Sequence, residues 1–492
     1  MTAQNGVTNG NHHSSPKVSF TEFTQYIDGA AVDTKATRCG INPATKQNLW
    51  PVPVSTSDHL DRAVEAATKA FKTWSRKPYE ERQRSVLAFA DAVEEYKEEL
   101  TNLLTTEQGK PTWQAALEAG AGIDWIRGMA KLSVPEDVVE ETDTKKTVVR
   151  YTPIGVVGAI IPWNFPLMLC TAKIAPALLT GNVVICKPSP FAPYCGLKLC
   201  EIAQRFFLPG VVQSISGGDD VGPWMTSHPG IGKISFTGSS PTGKLVMQSC
   251  AKTLKRVVLE LGGNDPAIVC GDVDIEKVAP KIATFAFLNS GQICLNMKRI
   301  YVHESIYQEF LTAMARHVKT MTMGNGLDSG IVLGPLQNKM QYDRVARFFD
   351  DIPKENWKAV TGGKMKDSNG YFIEPTIIDN PPDNSRIVME EPFGPIVPAL
   401  PWKTEDEVVR RANDTRMGLG ASIWSRDLER ADRLARQMEA GSVWINSHFD
   451  LSPLAPFGGH KESGIGTEWG INGLKAMCNV QSIFYNKSLD EV

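Results

Sequence analysis

The chain has 492 residues, 42% of them hydrophobic and 22% charged, so it can bury a large core; at ~150 residues per domain it makes about three domains. Its 52 Lys+Arg against 55 Asp+Glu leave a net charge of −3 and no long basic run, which argues against a nucleic-acid partner. The nine cysteines are scattered without a CxxC pair, and the eight histidines form no i,i+4 or HExxH pattern; reduced thiols, a cytoplasmic location and no metal site are the expectation.

The first 17 residues are polar, contain no arginine, and fit neither a secretory signal nor a transit peptide. The segment 1–24 is expected to be a disordered tail. From Ser57 the apolar positions Leu60, Val64, Ala67, Phe71 and Trp74 recur at helical spacing, with Ser57 or Asp58 as cap. Pro78 opens a second helix, with Val86, Phe89, Val93 and Tyr96 on one stripe. The polar, then alternating segment 140–151 predicts an exposed hairpin. Ile154–Ala172 reaches only the minimum membrane-spanning length and contains Pro162, Asn164 and Pro166, so a buried strand and turn is predicted and no membrane partner. The runs 154–161, 183–186, 211–215, 233–236 and 257–261 are short and apolar, with amphipathic stretches Gly196–Phe206 and Lys244–Ala251 between some of them. Such alternation predicts a doubly wound parallel sheet of the nucleotide-binding kind. A second α/β region follows, with strand-like runs RIYVH, VVRRAN and SVWIN.

Several residues could carry chemistry. Asn164 sits between two prolines, where a fixed amide could serve an oxyanion or simply form a turn. Lys187 ends an apolar strand, where doubly wound sheets bind ligands. SFTGSSPTGKL at 235–245 reads as strand, Gly-rich turn and helix. Its Gly238-xxxx-Gly243-Lys244 spacing imitates a P-loop, but Leu245 replaces the Ser or Thr that holds Mg²⁺. Phosphate binding and a plain tight turn both stay open there. Glu260, an acid within an apolar strand, is either a general base of raised pKa or a paired structural carboxylate. Cys294 follows a polar, Gly-containing turn, unlike cysteines buried in apolar runs, and is a nucleophile or a structural thiol.

Seven motifs stand in order: PWNFP, VVICKPS, FTGSSPTG, LELGG, GQIC, EEPFGP and PFGGHKESGIG. Together they resemble the aldehyde dehydrogenase superfamily, over roughly residues 25–490. The resemblance implies an atypical Rossmann cofactor domain from 25–132 and 152–262. It implies an α/β catalytic domain at 263–462, and a β-hairpin oligomerisation arm from 133–151 with 463–492. Carried over by position, Cys294 is the nucleophile, Glu260 the general base, and Asn164 with the Cys294 amide the oxyanion hole. The cofactor set is Ile161, Trp163, Lys187, Ser189, Gly238, Ser239, Leu261, Glu391 and Phe393. Lys173 resembles the family's lysine near the active site. The implied reaction oxidises an aldehyde to its acid with NAD, or NADP, through a thiohemiacetal and thioester.

Two departures matter. Pro190 stands where many NAD-preferring members carry a Glu, which leaves NADP open. Thr467-Glu468-Trp469-Gly470 replaces the common Arg-Glu-Leu-Gly. Phe165, Leu169, Ala172, Leu295, Leu451 and Phe457 are the implied pocket residues; all are apolar, which favours a neutral, hydrophobic aldehyde. Ala172, where bulkier aromatics often occur, predicts room for a larger substrate. A catalytically idle homologue and a thiol esterase or acyltransferase are the competing readings. A homodimer or homotetramer is the implied assembly.

Overall fold

The protein is described here by a computed structural model covering residues 18–488. The first helix, Ser57–Trp74, buries Leu60, Val64, Ala67 and Trp74 as its periodicity predicts. Its N-cap is Thr56, not Ser57 or Asp58; the Thr56 N–H donates to His59 Nδ1 at 3.0 Å. Of the segment 1–24 expected to be disordered, residues 1–17 lie outside the described residues, whereas Phe23 is buried and Phe20 packs on Tyr96 at 5.8 Å. Two aromatic side chains in seven residues give that stretch enough apolar surface to dock.

The apolar runs after 154 become a six-stranded sheet in the order Gly464–Ile465, Arg256–Glu260, Lys233–Thr237, Val156–Ile160, Val183–Lys187, Val212–Ser214. All neighbours are parallel except Gly464–Ile465, which runs antiparallel to Arg256–Glu260. Strand order reverses beside Val156–Ile160, and in doubly wound sheets the crevice at such a reversal receives the ligand. Residues 464–465 therefore belong to this sheet and not with the arm: Gly464, lacking a side chain, lies so near Leu259 O that a Cβ would stand 2.4 Å away.

A second, seven-stranded sheet runs Lys358–Thr361, Thr376–Asp379, Ile396–Trp402, Met297–His303, Asp265–Val269, Gly420–Trp424, Ser442–Ile445, antiparallel only at its first pair. The VVRRAN run is not a strand here but the end of the helix Glu405–Asn413. Val408 and Ala412 share its buried face, Thr404 caps it, and acids then arginines follow the helix dipole. The predicted hairpin joins Asp137–Glu141 to Lys145–Pro153, and Cys478–Asn486 adds a third antiparallel strand. Among the described residues no helix is long and apolar enough to cross a membrane.

Candidate active site

Cys294 sits on a loop whose backbone is hard to reach for most sequences. Asn289, Ser290 and Gly291 take φ of 51°, 54° and 75° in succession. A Cβ on Gly291 would stand 2.2 Å from Gly394 O, so this close approach of two loops needs glycine. Polar side chains then clamp the turn. Asn296 Oδ1 accepts from Ile293 N at 2.7 Å, and Gln292 Oε1 from Gln337 N at 2.9 Å. The Lys298 ammonium donates to the carbonyls of Ile293 and Cys294 at 3.0 and 2.7 Å. Burial pushes the Cys294 thiol up to about 12, against the pull of Lys298.

Asn164 comes from the turn after Val156–Ile160. Its side-chain Nδ2 donates to Gln292 O at 3.1 Å, which brings the amide against the Cys294 loop. Its backbone is held separately: Asn164 O accepts from Lys110 Nζ at 2.9 Å and Asn289 Nδ2 at 3.3 Å. Lys110 is buried, pairs with Glu118, and lies 3.7 Å from the centroid of the Phe165 ring. Glu118 also accepts from Leu167 N and Met168 N at 3.0 and 3.2 Å, satisfying free donors at the start of the helix Pro166–Leu179.

Glu260 ends its strand fully enclosed, and neither carboxyl oxygen meets a hydrogen-bond partner. Burial, and then the Glu468 carboxylate, hold its pKa well above the ordinary range, opposed by Lys173. Those two neighbours form a closed polar cluster with Ser235. Lys173 Nζ lies 2.6 Å from Glu468 Oε1 and 2.9 Å from Ser235 Oγ, and Ser235 donates to the same Oε1 at 2.6 Å. The Glu of Thr467-Glu468-Trp469-Gly470 thus anchors Lys173, which the sequence alone did not disclose.

The implied cofactor residues gather along the sheet edge. Ile161 N bonds Lys187 O at 3.0 Å, Trp163 meets Phe393 edge-on at 5.4 Å, and Ser189 is buried. Lys187 is buried, and its ammonium has only Pro188 O, at 3.5 Å, within reach. Burial holds its pKa down to about 8, against the Asp219 carboxylate. Ser239 caps the helix Ser240–Ala251, and Gly238 N bonds Glu260 O at 3.0 Å. Glu391 accepts from Gly263 N at 3.2 Å and pairs with Lys298 at 3.2 Å. A Cβ would stand 2.5 Å from Phe236 Cζ at Gly238 and 2.3 Å from Glu391 Oε2 at Gly262, so a side chain at either would push those two residues aside. A buried cation without an acid, hydroxyls at a helix N-terminus and a fixed carboxylate fit the phosphates and riboses of a dinucleotide. The P-loop likeness dissolves: Gly243 packs on Leu261, and Lys244 pairs with Glu462 at 3.0 Å on the surface.

One cavity unites Cys294, Glu260 and Asn164. Phe165, Leu169, Leu261, Leu295, Leu451 and Phe457 also line it. Ala172 does not; it is buried in the core of the first sheet's layer, so the room it predicted is not on the cavity wall. Met168, Thr237, Ile293, Leu419, Phe449, Glu468 and Trp469 complete the wall and were missed. They come from segments far apart in the chain, and only the departure at Trp469 left any signal. A second cavity shares Phe165, Met168, Phe449 and Leu451 with the first and adds Lys110 and Trp125.

The comparisons agree with this geometry. The sequence profile described as "Aldehyde dehydrogenase family" matches residues 32–483. The aldehyde dehydrogenase LUC3 of a Fusarium species is 40% identical over 472 residues, covering 96% of this chain and all of that protein. Phenylacetaldehyde dehydrogenase of Pseudomonas fluorescens is 37% identical, covering 90% of this chain and 91% of that protein. Betaine aldehyde dehydrogenase of Staphylococcus aureus, solved in complex with NAD⁺, superposes with a TM-score of 0.92 at 33% identity, covering 96% and 97% of the two chains. A profile match over most of the length, a shared fold and relatives matched end to end lead to one conclusion: the chain belongs to the aldehyde dehydrogenase family, whose members are NAD(P)-dependent oxidoreductases.

Proposed function

We propose that this enzyme oxidises a neutral, hydrophobic aldehyde to its carboxylic acid through a covalent intermediate on Cys294. The observation that carries the reading is the single, largely apolar cavity holding a thiol, an unpaired carboxyl and a fixed amide. Cys294 Sγ, its proton passed to solvent water, bonds to the aldehyde carbon as the C=O π pair moves onto oxygen, which becomes an oxyanion. The Asn164 amide and the Cys294 N–H receive that charge; a preorganised donor of this kind supplies roughly 10²–10³ in rate. Bound NAD or NADP supplies the hydride acceptor that converts the thiohemiacetal to a thioester. Glu260 then takes a proton from water as the water oxygen bonds to the thioester carbon, and the C–S bond breaks to free the acid. Lys173, Glu468 and Ser235 form the polar cluster beside Glu260 through which that proton can leave. On the cofactor side, Lys187, Ser189, Gly238 and Ser239 hold the adenine ribose and pyrophosphate, with Ile161, Trp163 and Leu261 packing around them. Glu391 and Phe393 place the nicotinamide end. Absence of a carboxylate at Pro190 leaves the 2′-phosphate of NADP unopposed, so both cofactors are accepted.

We assign the units as cofactor domain 25–132 and 152–262, catalytic domain 263–462, and an arm from 133–151 and the strand after 477. The arm leaves Val138, Val139, Val480 and Phe484 exposed, and a second copy of the chain covers them in a homodimer or homotetramer. The cytoplasm suits a mechanism that needs a free thiol. The decisive test is the appearance of reduced nicotinamide with a panel of aldehydes, NAD and NADP, for wild type and Cys294→Ala. Turnover absent from the variant is the expected result. Equal turnover in both, or ester hydrolysis without a nicotinamide and no aldehyde oxidation, overturns the reading.

A further inference from the structure

Trp469 has a backbone that a large side chain rarely adopts. Its φ of 59° and ψ of 171° lie in a region left almost wholly to glycine, and Gly470 follows with φ of 59°. The surrounding bonds over-determine this strained position. Phe457 N donates to Glu468 O and Glu468 N to Phe457 O, both at 2.7 Å, pairing the two segments immediately before Trp469. Glu468 is tied by its side chain to Lys173 and Ser235, and Trp469 O accepts from Gly473 N at 2.7 Å. A smaller residue could satisfy all of those backbone bonds, so the indole is not there for the turn.

The indole meets aromatic rings on two sides. It stacks on Phe457 with centroids 4.4 Å apart and planes 20° from parallel, and Trp125 meets it edge-on at 5.0 Å and 75°. Stacking on each other, with the edge contact from Trp125, holds both rings in fixed planes, and a ring face turned to the cavity offers a flat wall. Both stacked rings line the cavity that holds Cys294, and Trp469 is nearly fully buried. Phe165 and Phe449, tilted at 43° with centroids 6.2 Å apart, add a second aromatic pair to the same cavity. No ammonium or guanidinium stands on that cavity's wall among the described residues.

We propose that the Phe457–Trp469 stack is a specificity-determining wall, selecting aldehydes with a planar aromatic or conjugated body over saturated ones of equal size. The inference rests on the reading that this cavity takes the aldehyde. A flat ring lies against a flat wall and keeps its contacts, whereas a puckered ring of the same skeleton touches it at fewer atoms and needs more depth.

The test compares phenylacetaldehyde with cyclohexylacetaldehyde, whose methylene separates ring from carbonyl in both and so matches their reactivity. Wild type is expected to favour the aromatic member by about tenfold or more in kcat/KM. Trp469→Leu is expected to bring the ratio to within about threefold of one, while Trp469→Phe, which keeps a flat ring, retains most of the preference. Binding of phenylacetamide and cyclohexylacetamide to the wild-type protein, measured by calorimetry, reads the same wall without turnover or a folded variant. A wild-type ratio near one, equal binding of the two amides, or an unchanged ratio in a folded Trp469→Leu protein overturns the proposal. Oxidation of slim aliphatic aldehydes with both ring aldehydes refused overturns it too and leaves the proposed function standing. Loss of all aldehyde oxidation alongside selective binding of phenylacetamide supports the wall and overturns the proposed function instead.

Discussion

In the proposed mechanism Glu260 serves the aldehyde and Glu391 the cofactor, and both acids bear on the Cys294 thiol. Glu391 has a buried ammonium, Lys298, at 3.2 Å and a backbone N–H at 3.2 Å. Glu260 has neither, and its surroundings are Leu261, Phe457 and other apolar walls with a carboxylate, Glu468, as its strongest charged influence. A carboxylate that presents fixed acceptors is paired with a cation and a backbone donor. One that must take and release a proton is left unpaired in a place where both states are within reach. The same contrast separates Lys110, neutralised by Glu118, from Lys187, whose charge awaits an acid or a phosphate.

The largest effect is expected at the aldehyde side, from Asn164→Ala. The backbone bonds from Lys110 and Asn289 to Asn164 do not use its side chain, so the turn survives the change. Turnover should fall by roughly 10²–10³-fold while cofactor affinity, read by nucleotide fluorescence, stays the same. A fall below tenfold would show that the Cys294 amide alone carries the oxyanion. Glu260→Gln comes next. Hydride transfer continues for one turnover and thioester hydrolysis slows by about 10²-fold, so reduced nicotinamide appears as a burst of one equivalent per site. A slow rise without a burst would place Glu260 before the thioester.

How much of this was legible in the sequence follows the range of each signal. The strands of the first sheet are continuous apolar runs bounded by glycine and proline, a local pattern, and each predicted run overlaps an observed strand to within a residue or two at its ends. Val408-Val409 was misread because two β-branched residues look like a strand until Ala412 shows the helical stripe. Asn164, Glu260 and Cys294 were readable as isolated chemical oddities, but nothing local says that 130 residues of intervening chain bring Asn164 beside Cys294. Ala172 failed for the opposite reason. Its neighbours in sequence include pocket residues, yet a helix turns successive side chains to different faces, and 172 faces the core. Glu468 could not be linked to Lys173 at all, since the bond spans 295 positions and exists only after the last segment folds back onto the first sheet.

The cofactor side yields a smaller effect. Lys187→Ala removes the only ammonium buried at the end of its strand, and KM should rise for NAD by about tenfold and for NADP by more, since two further charges go unmatched. Calorimetry of nucleotide binding checks it without turnover. Equal loss for the two cofactors would remove Lys187 from contact with the ribose 2′ position.

The smallest effect, one of stability alone, belongs to Asp265, the buried acid on the second sheet. Like Glu260 it has no hydrogen-bond partner on either oxygen, and burial outweighs the Lys298 ammonium to push its pKa up to about 8 from an ordinary 3.8. In the unfolded chain the group ionises near 3.8, while in the folded protein it keeps its proton to about 8. Below 3.8 both states hold the proton and no difference arises; between the two values the unfolded state is favoured increasingly as pH rises; above 8 the difference is constant. Asp265→Asn removes this dependence and keeps the shape. Its melting temperature should therefore match wild type near pH 4 and exceed it by about 2–4 °C at pH 8. The Asn amide also brings two donors into a site where Gly263 and Gly420 already crowd the carboxyl, with a Cβ at either standing 2.5 and 2.3 Å from its oxygens. A gain that is the same at pH 4 and pH 8 would mean that packing, not ionisation, sets the difference. A loss at pH 8 would mean that Lys298 holds Asp265 charged in the folded protein, and that the unpaired acid of the cleft is Glu260 alone.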